Sequence, residues 1–532
     1  MIKKVLILLC LVTGVVHAQS IDSLEQIDAL FSKWNNATPG VAIAIERKNK
    51  IIYKKAFGLA DLEHLVPNTT ETIFESGSVA KQFTAMCILL LAADGKLSLT
   101  DDIRKYVPEI PKYSAPITIQ HLLNHTSGLK DWGSVGALSG WPRTTRVYTQ
   151  ELALQIMCQQ KTTNYTPGTE YSYSNANYTL LVTIAERVSG QSLAEFTRLR
   201  FFEPLGMNHT QWRNNFREVI PNRAIAYSKT ANGYQQLMPF ENIHGHGGLL
   251  TTVADLLKWN QLLEHPSIGG DRVYQWRVQT GKLTNGQPID YAAGLFIDQF
   301  NGWEEISHSG ATAGYRAWLA YYPKKKLSVV LLSNDGSFNP AGAGRDIAAI
   351  FFGKKENAKR DTPPLTLSEA DLKRYEGIYR SLRHFEVKKL EYKNGKLYGD
   401  QHELRALHRD TLVLNNERWI YAQPNHLLHQ TANDTSLFKK VAPPDLTSAS
   451  LLSLAGEYRS DEADVTYFVE VKNSELWVQI KSFAPFKLNP SFRDGFFSEN
   501  GDLYEFARDR AKKVKQLQVS TSRAEKISFT YK

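Results

Sequence analysis

Cysteine is nearly missing from this chain: there are 3 in 532 residues, and one of them, Cys10, lies in the apolar opening segment. The other two, Cys87 and Cys158, allow at most one disulfide, so the fold does not depend on a cross-linked framework. Past the opening segment no apolar run approaches the roughly 20 residues that a membrane-spanning helix needs. Long Lys/Arg runs and basic stripes interleaved with aromatics are also missing. The net charge of +9 comes from 63 basic against 54 acidic residues, which gives nucleic-acid binding no support. No Gly-x-Ser-x-Gly elbow and no phosphate-cradling glycine loop occurs, which argues against an α/β-hydrolase or a P-loop enzyme. The 34 Gly and 21 Pro are ordinary numbers and exclude a collagenous or low-complexity chain.

What is present begins with an export leader. Lys3 and Lys4 supply a positive start, Val5–Val16 an apolar stretch too short to span a bilayer, and Val16-His17-Ala18 a small-residue cleavage site. Cys10 follows Leu9, which does not suit lipoprotein cleavage. Residues 1–18 are therefore expected to be a signal peptide, and the mature protein to be periplasmic or secreted.

Two hairpins bracket a helical stretch. Val41–Glu46 and Ile51–Phe57 are β-prone runs around a polar turn, and Tyr315–Tyr322 and Leu327–Ser333 flank Pro323-Lys324-Lys325-Lys326. Between them helices are expected near 78–93, 120–124, 176–189, 193–202 and 253–263. The first should place Val79, Phe83, Met86, Cys87 and Leu90 on one face and stop at Asp94-Gly95. This pattern predicts an α+β unit, an antiparallel sheet flanked by helices. After a charged and proline-rich stretch around 353–364 the chain repeats itself. Leu372 to Ser381, with Tyr375, Gly377, Tyr379 and Arg380, returns as Leu451 to Ser460, with Leu454, Gly456, Tyr458 and Arg459. Both copies continue as short alternating strands, which predicts two small all-β modules closed as barrels. Tyr379 and Tyr458 are expected in their cores, or else on a ligand surface.

The chemistry is concentrated in a few short stretches. In Ser78-Val79-Ala80-Lys81 a spacing of three puts hydroxyl and amine on one helical face. In a dry cleft, desolvation would make the lysine a usable base for the serine. Tyr173-Ser174-Asn175 opens a helix after the turn Pro167-Gly168, so a phenol and a carboxamide can point into one cleft. His308-Ser309-Gly310 stands just before the second hairpin, where a glycine permits close backbone approach. His121 and His125 have i, i+4 spacing without the glutamate of a zinc-protease motif, and His244-Gly-His246 lacks a third ligand, so no metal is expected.

Together with His121-Leu-Leu-Asn-His125-Thr-Ser-Gly128-Leu129 and Gly247 to Asp255, these stretches occur in an order that resembles class C β-lactamase-like serine hydrolases. Class A β-lactamases and penicillin-binding proteins use a related set. The resemblance covers about residues 25–350 and implies a β-lactamase/transpeptidase-like fold. It implies Ser78 as acylated nucleophile, Lys81 as its base, Tyr173 as proton relay and Asn175 as a substrate-carbonyl ligand. It also implies an oxyanion hole from the backbone N–H groups of Ser78 and Ala311, with His308 and Gly310 beside the substrate. Many relatives carry lysine where this chain has His308, a fixed charge that holds a substrate carboxylate; a mostly neutral histidine weakens that anchor. Relatives with His-x-Gly include esterases and D-stereospecific aminopeptidases, and the latter resemble this chain in carrying two C-terminal barrels.

The expected organisation is thus a leader at 1–18, a hydrolase domain at 19–353, a linker at 354–371 and β modules at 372–440 and 441–532. The expected activity is hydrolysis of a small peptide, amide or ester, foremost short D-amino-acid-containing peptides, with no cofactor. A carboxylesterase comes next and a β-lactamase third, and a binding protein on the same scaffold is the non-enzyme alternative.

Overall fold

A computed structural model describes residues 23–143, 145–352, 365–414, 417–431, 435–481 and 483–532. The expected signal peptide and most of the expected linker lie outside the described residues. The described chain forms two compact units: one of residues 23–128, 143–155 and 165–352, the other of residues 129–142, 156–164 and 365–532.

The first unit is built on a six-stranded antiparallel sheet. In chain order the strands are β1 (Val41–Arg47), β2 (Lys50–Phe57), β3 (Phe296–Phe300), β4 (Trp303–Thr312), β5 (Tyr315–Tyr322) and β6 (Leu327–Ser333). Their spatial order is β3-β4-β5-β6-β1-β2, so the two hairpins meet where β1 pairs with β6, Ile43 opposite Leu331. Every residue of β6 is buried, because this central strand is covered on both faces. On one face Val41, Ile43, Ile45, Val329 and Leu331 pack with Phe31 and Ile347, from helices at the two ends of the unit, and with Trp34 just past the first of them.

The helix expected at 78–93 divides in two: a 3₁₀ turn over Gly77–Ala80, then α1 (Lys81–Ala93). Its apolar residues are not confined to one face, since all but the last of its 13 residues are buried. A helix enclosed all round needs no polar stripe. It stops as expected, with Gly95 at φ 72°. Cys87 is enclosed in it and donates to the Phe83 carbonyl at 3.3 Å. The remaining helices that matter here are α2 (Asn175–Ser189), α3 (Val253–Gln261) and α4 (Gly270–Val278). The stretch expected as one helix at 193–202 changes at Arg198 into a wider turn through Phe202.

The second unit contains two closed antiparallel barrels of eight strands each, running from Gly377–Ser381 to Thr435–Val441 and from Gly456–Ser460 to Ile527–Tyr531. The repeated residues have matching roles. Gly377 and Gly456 sit at φ 146° and 151°, a conformation that side chains rarely tolerate. Tyr379 and Tyr458 are 1% and 0% exposed and fill the barrel cores. Ser381 and Ser460 are fully buried and accept backbone N–H groups, from Arg383 and His384 in one copy and Ala463 in the other. Residues 129–142 complete the second core, where Val135 and Leu138 pack with Tyr458, Tyr467 and Ile480. Lys130 reaches Glu462 at 3.1 Å, and both side chains are buried. No helix among the described residues is long and apolar enough to cross a membrane.

Candidate active site

The 3₁₀ turn at the head of α1 presents Ser78 half-buried, while Lys81, one turn on, is 0% exposed. Lys81 Nζ lies 3.1 Å from Ser78 Oγ. It also donates to Asn175 Oδ1 at 2.9 Å and to the His246 carbonyl at 2.6 Å. The Tyr173 ring stands beside it, its centroid 4.9 Å from Nζ. Three stretches distant in sequence, around residues 78–81, 173–175 and 246, thus meet at one amine.

The Tyr-Ser-Asn stretch lies where expected. Ser174 is extended, at φ −135° and ψ 129°, and α2 begins at Asn175. His125 holds it there. Its Nδ1 meets Ser174 N at 3.2 Å and Asn177 Nδ2 at 2.9 Å, and its ring centroid is 4.3 Å from that of Tyr173. His125 itself takes φ 57°, at the close of the short helix Ile119–Leu123. Sequence reasoning weighed His125 as half of a metal pair and counted it in a stretch that carries the family resemblance, but gave it no role in the site. The signal for its scaffold role was the Thr-Ser-Gly that follows, since Ser127 Oγ in turn meets Asn177 Oδ1 at 2.5 Å.

His308-Ser309-Gly310 precedes the hairpin strand Tyr315–Tyr322 as expected, and it lies inside a strand of its own, β4, with His308 opposite Leu319 and Gly310 opposite Ala317. The strand extends further because the turn Ala313-Gly314 already closes a hairpin between β4 and β5. Gly310 serves close approach: a Cβ there would lie 2.0 Å from the Ser76 carbonyl. One on Gly77, at φ 53°, would lie 2.6 Å from Ala311 N. These two glycines let the backbone leading into Ser78 run against the backbone of Ala311, which brings the two candidate oxyanion donors onto neighbouring stretches.

His308 is buried, and burial together with the nearby Lys81 charge pushes its pKa down to about 3. Its Nδ1 contacts the Ser309 carbonyl at 2.6 Å and its Nε2 contacts Tyr291 Oη at 3.1 Å. A neutral ring that donates from Nδ1 and accepts at Nε2 fits both contacts. Position 308 therefore brings no positive charge to the cleft. Tyr291, which also packs on His125 and Tyr173, had no signal in the sequence.

The other histidine pair, His244 and His246, forms part of a buried turn beneath Lys81. Glu75 accepts from Arg213 Nε at 2.9 Å and from Gly248 N at 3.2 Å, and Arg213 N donates to the Gly248 carbonyl at 2.8 Å. Glu241 pairs with Arg143 and lies 3.6 Å from Arg213. The His246 pKa is driven well down by burial and by Arg143, and that of His244 to about 4 by burial and Arg213. This ionic belt fixes the turn whose His246 carbonyl meets Lys81. Among the described residues one group brings three potential metal-ligand atoms together, Asp61, Glu63 and His64, which is largely exposed and unrelated to this cleft.

The model of the Beta-lactamase family matches residues 24–353. The chain belongs to the Beta-lactamase family. It is a serine hydrolase of that family. Penicillin-binding protein 4* of Bacillus subtilis (strain 168) is 30% identical over 313 residues, 56% of this chain and 68% of that protein. A D-aminopeptidase of Brucella canis is 25% identical over 465 residues, 84% of each chain. Among solved structures, the octameric penicillin-binding protein homologue from Pyrococcus abyssi shares the fold, with a TM-score of 0.56 and 24% identity over 87% of this chain and 99% of that one.

Proposed function

We propose that this protein is an exported serine hydrolase that forms an acyl-enzyme on Ser78 and cleaves amide bonds in short peptides containing D-amino acids. The observation that carries the reading is the buried Lys81 amine 3.1 Å from Ser78 Oγ. Asn175 Oδ1 and the His246 carbonyl take two of the Lys81 N–H groups, which aims the remaining position of the nitrogen at the Ser78 hydroxyl; once the proton there is lost, the lone pair left behind can accept the serine proton.

In this mechanism the serine proton passes to Lys81 as Oγ bonds to the substrate carbonyl carbon. The carbonyl oxygen, now an anion, takes the N–H groups of Ser78 and Ala311, donors of a kind commonly worth about 3 kcal/mol in the transition state. Tyr173, against the Lys81 amine, relays a proton to the leaving nitrogen as the C–N bond breaks. A water then attacks the ester, its proton returns by the same relay, and Ser78 is released. Asn175 serves both Lys81 and the substrate carbonyl.

The substrate class is supported by D-aminopeptidases among the relatives and by the neutral His308, which offers no charge to hold a terminal carboxylate or the carboxylate of a β-lactam. A carboxylesterase is the second reading, since a neutral cleft accepts esters equally well. The leader at 1–18 supports export. The test is kcat/KM on D-alanine and L-alanine p-nitroanilides, with Ser78→Ala as control. D-over-L cleavage that disappears in the variant is expected. No cleavage of either anilide, with turnover of p-nitrophenyl esters, would move the assignment to an esterase.

A further inference from the structure

Arg277, at the end of α4, is 2% exposed. Its guanidinium lies over Trp259, with Cζ 4.6 Å from the ring centroid, and Nη2 donates to Gln82 Oε1 at 3.2 Å. The same oxygen accepts from Trp259 Nε1 at 3.0 Å. The remaining donors here, Nε and Nη1 of Arg277 and Nε2 of Gln82, are buried and meet no acceptor in the protein. No carboxylate pairs with Arg277 among the described residues, and the ionisable neighbour acting on it is a phenol, Tyr274. The contrast within the same unit is Arg213, equally enclosed but flanked by Glu75 and Glu241.

Burial lowers the Arg277 pKa to about 9, which leaves it cationic at neutral pH. A buried cation without a counter-charge is costly, and buried donors are nearly always satisfied. The three unmet donors belong to two side chains already hydrogen-bonded to each other, so one ion beside Gln82 Nε2 can also meet Arg277 Nε or Nη1. Water filling that region would also have to place its own protons. An anion only accepts, and it cancels the charge. Gln82 and Trp259 beside it are 1% and 0% exposed, and this enclosure favours an ion of few atoms over a substrate carboxylate.

We propose that Arg277 and Gln82 form a buried binding site for a small monovalent inorganic anion such as chloride. Gln82 follows Lys81 at the N-terminal end of α1, where the helix dipole adds to the attraction. The anion braces that turn.

The experiment uses the full chain. Crystals grown without halide are soaked in sodium bromide and measured at the bromine edge, and Tm is followed in solution as chloride replaces gluconate at constant ionic strength. An anomalous peak within hydrogen-bonding reach of Arg277 Nε or Nη1 and Gln82 Nε2 is expected. A saturable rise in Tm that is lost in Arg277→Met should accompany it. A peak with no saturable change in Tm would mean an adventitious ion only and would overturn the proposal. So would bridging waters with no anomalous signal. Because the wild-type protein supplies both readouts, the test stands even if the variant does not fold.

Discussion

Two lysines of this protein, Lys81 in the hydrolase unit and Lys130 in the barrel unit, are 0% and 1% exposed, and they face different kinds of partner. Lys130 faces a carboxylate, Glu462, which also accepts from Lys161 N. Burial lowers its pKa while Glu462 works against that shift. Lys81 reaches three neutral oxygens, those of Ser78, Asn175 and His246. A buried amine opposite a carboxylate becomes half of an ion pair, and its charge is spent on structure. Opposite hydroxyl and carbonyl groups it can exchange a proton without breaking an ion pair. Burial alone therefore does not distinguish a catalytic lysine from a structural one; the partner does.

The largest effect that tests this contrast is on rate. Lys81→Met should lower kcat/KM by about 10³-fold or more, with Tm measured in parallel to show that the fold is kept. Activity within tenfold of wild type would break the comparison at its catalytic end. The structural end is tested by stability. Glu462→Gln leaves the Lys130 charge buried and should cost about 3–5 kcal/mol in denaturant unfolding, whereas Lys130→Met with Glu462→Leu should restore much of that loss. Turnover per folded molecule should change little in either variant.

The pH dependence sharpens the difference between the units. His308 and His244, with folded pKa values of about 3 and 4, stay neutral in the hydrolase unit while the unfolded chain takes up protons near pH 6.5. The unfolded state then binds more protons, so stability rises with pH across this window and is lost on acidification. The slope is about 1.4 kcal/mol per pH unit for each histidine once the unfolded form is protonated. His308→Gln should flatten part of this slope in Tm measured between pH 6.5 and 4; an unchanged slope would refute the assignment. The smallest effect should come from a barrel tyrosine. Tyr458 donates to the Leu454 carbonyl at 2.7 Å, and Tyr458→Phe should cost about 1 kcal/mol and leave kcat/KM untouched. By comparison, Tyr173→Phe in the cleft should lower kcat/KM by about 10²-fold or more.

Much of this molecule could be read along the chain. The second hairpin was placed to the residue, with strands at Tyr315–Tyr322 and Leu327–Ser333, because a run of β-prone residues broken by Pro and Lys is a local signal. The barrel repeat was legible for the same reason, and its glycines proved to hold a φ that few other residues can. Less legible was the interior. The one-sided apolar face expected for α1 assumed that helices border solvent, which this one does not. The strand that holds His308 was not foreseen; its Gly310, required for contact with Ser76, interrupts the run of side chains that marks a strand locally.

By itself the sequence determined which reactive groups exist and in what order: Ser78 one helical turn before Lys81, Tyr173 two residues before Asn175, His308 beside Gly310. It also determined the doubled barrel. Only the tertiary structure decided what each group faces. Asn175 and His246 meet Lys81 across 94 and 165 residues of chain, and Glu462 meets Lys130 across 332. Hydrophobic periodicity and turn chemistry act over a few residues and are written locally. The partner of a buried charge is chosen by packing across the whole fold, and that choice leaves no mark in the spacing of either residue.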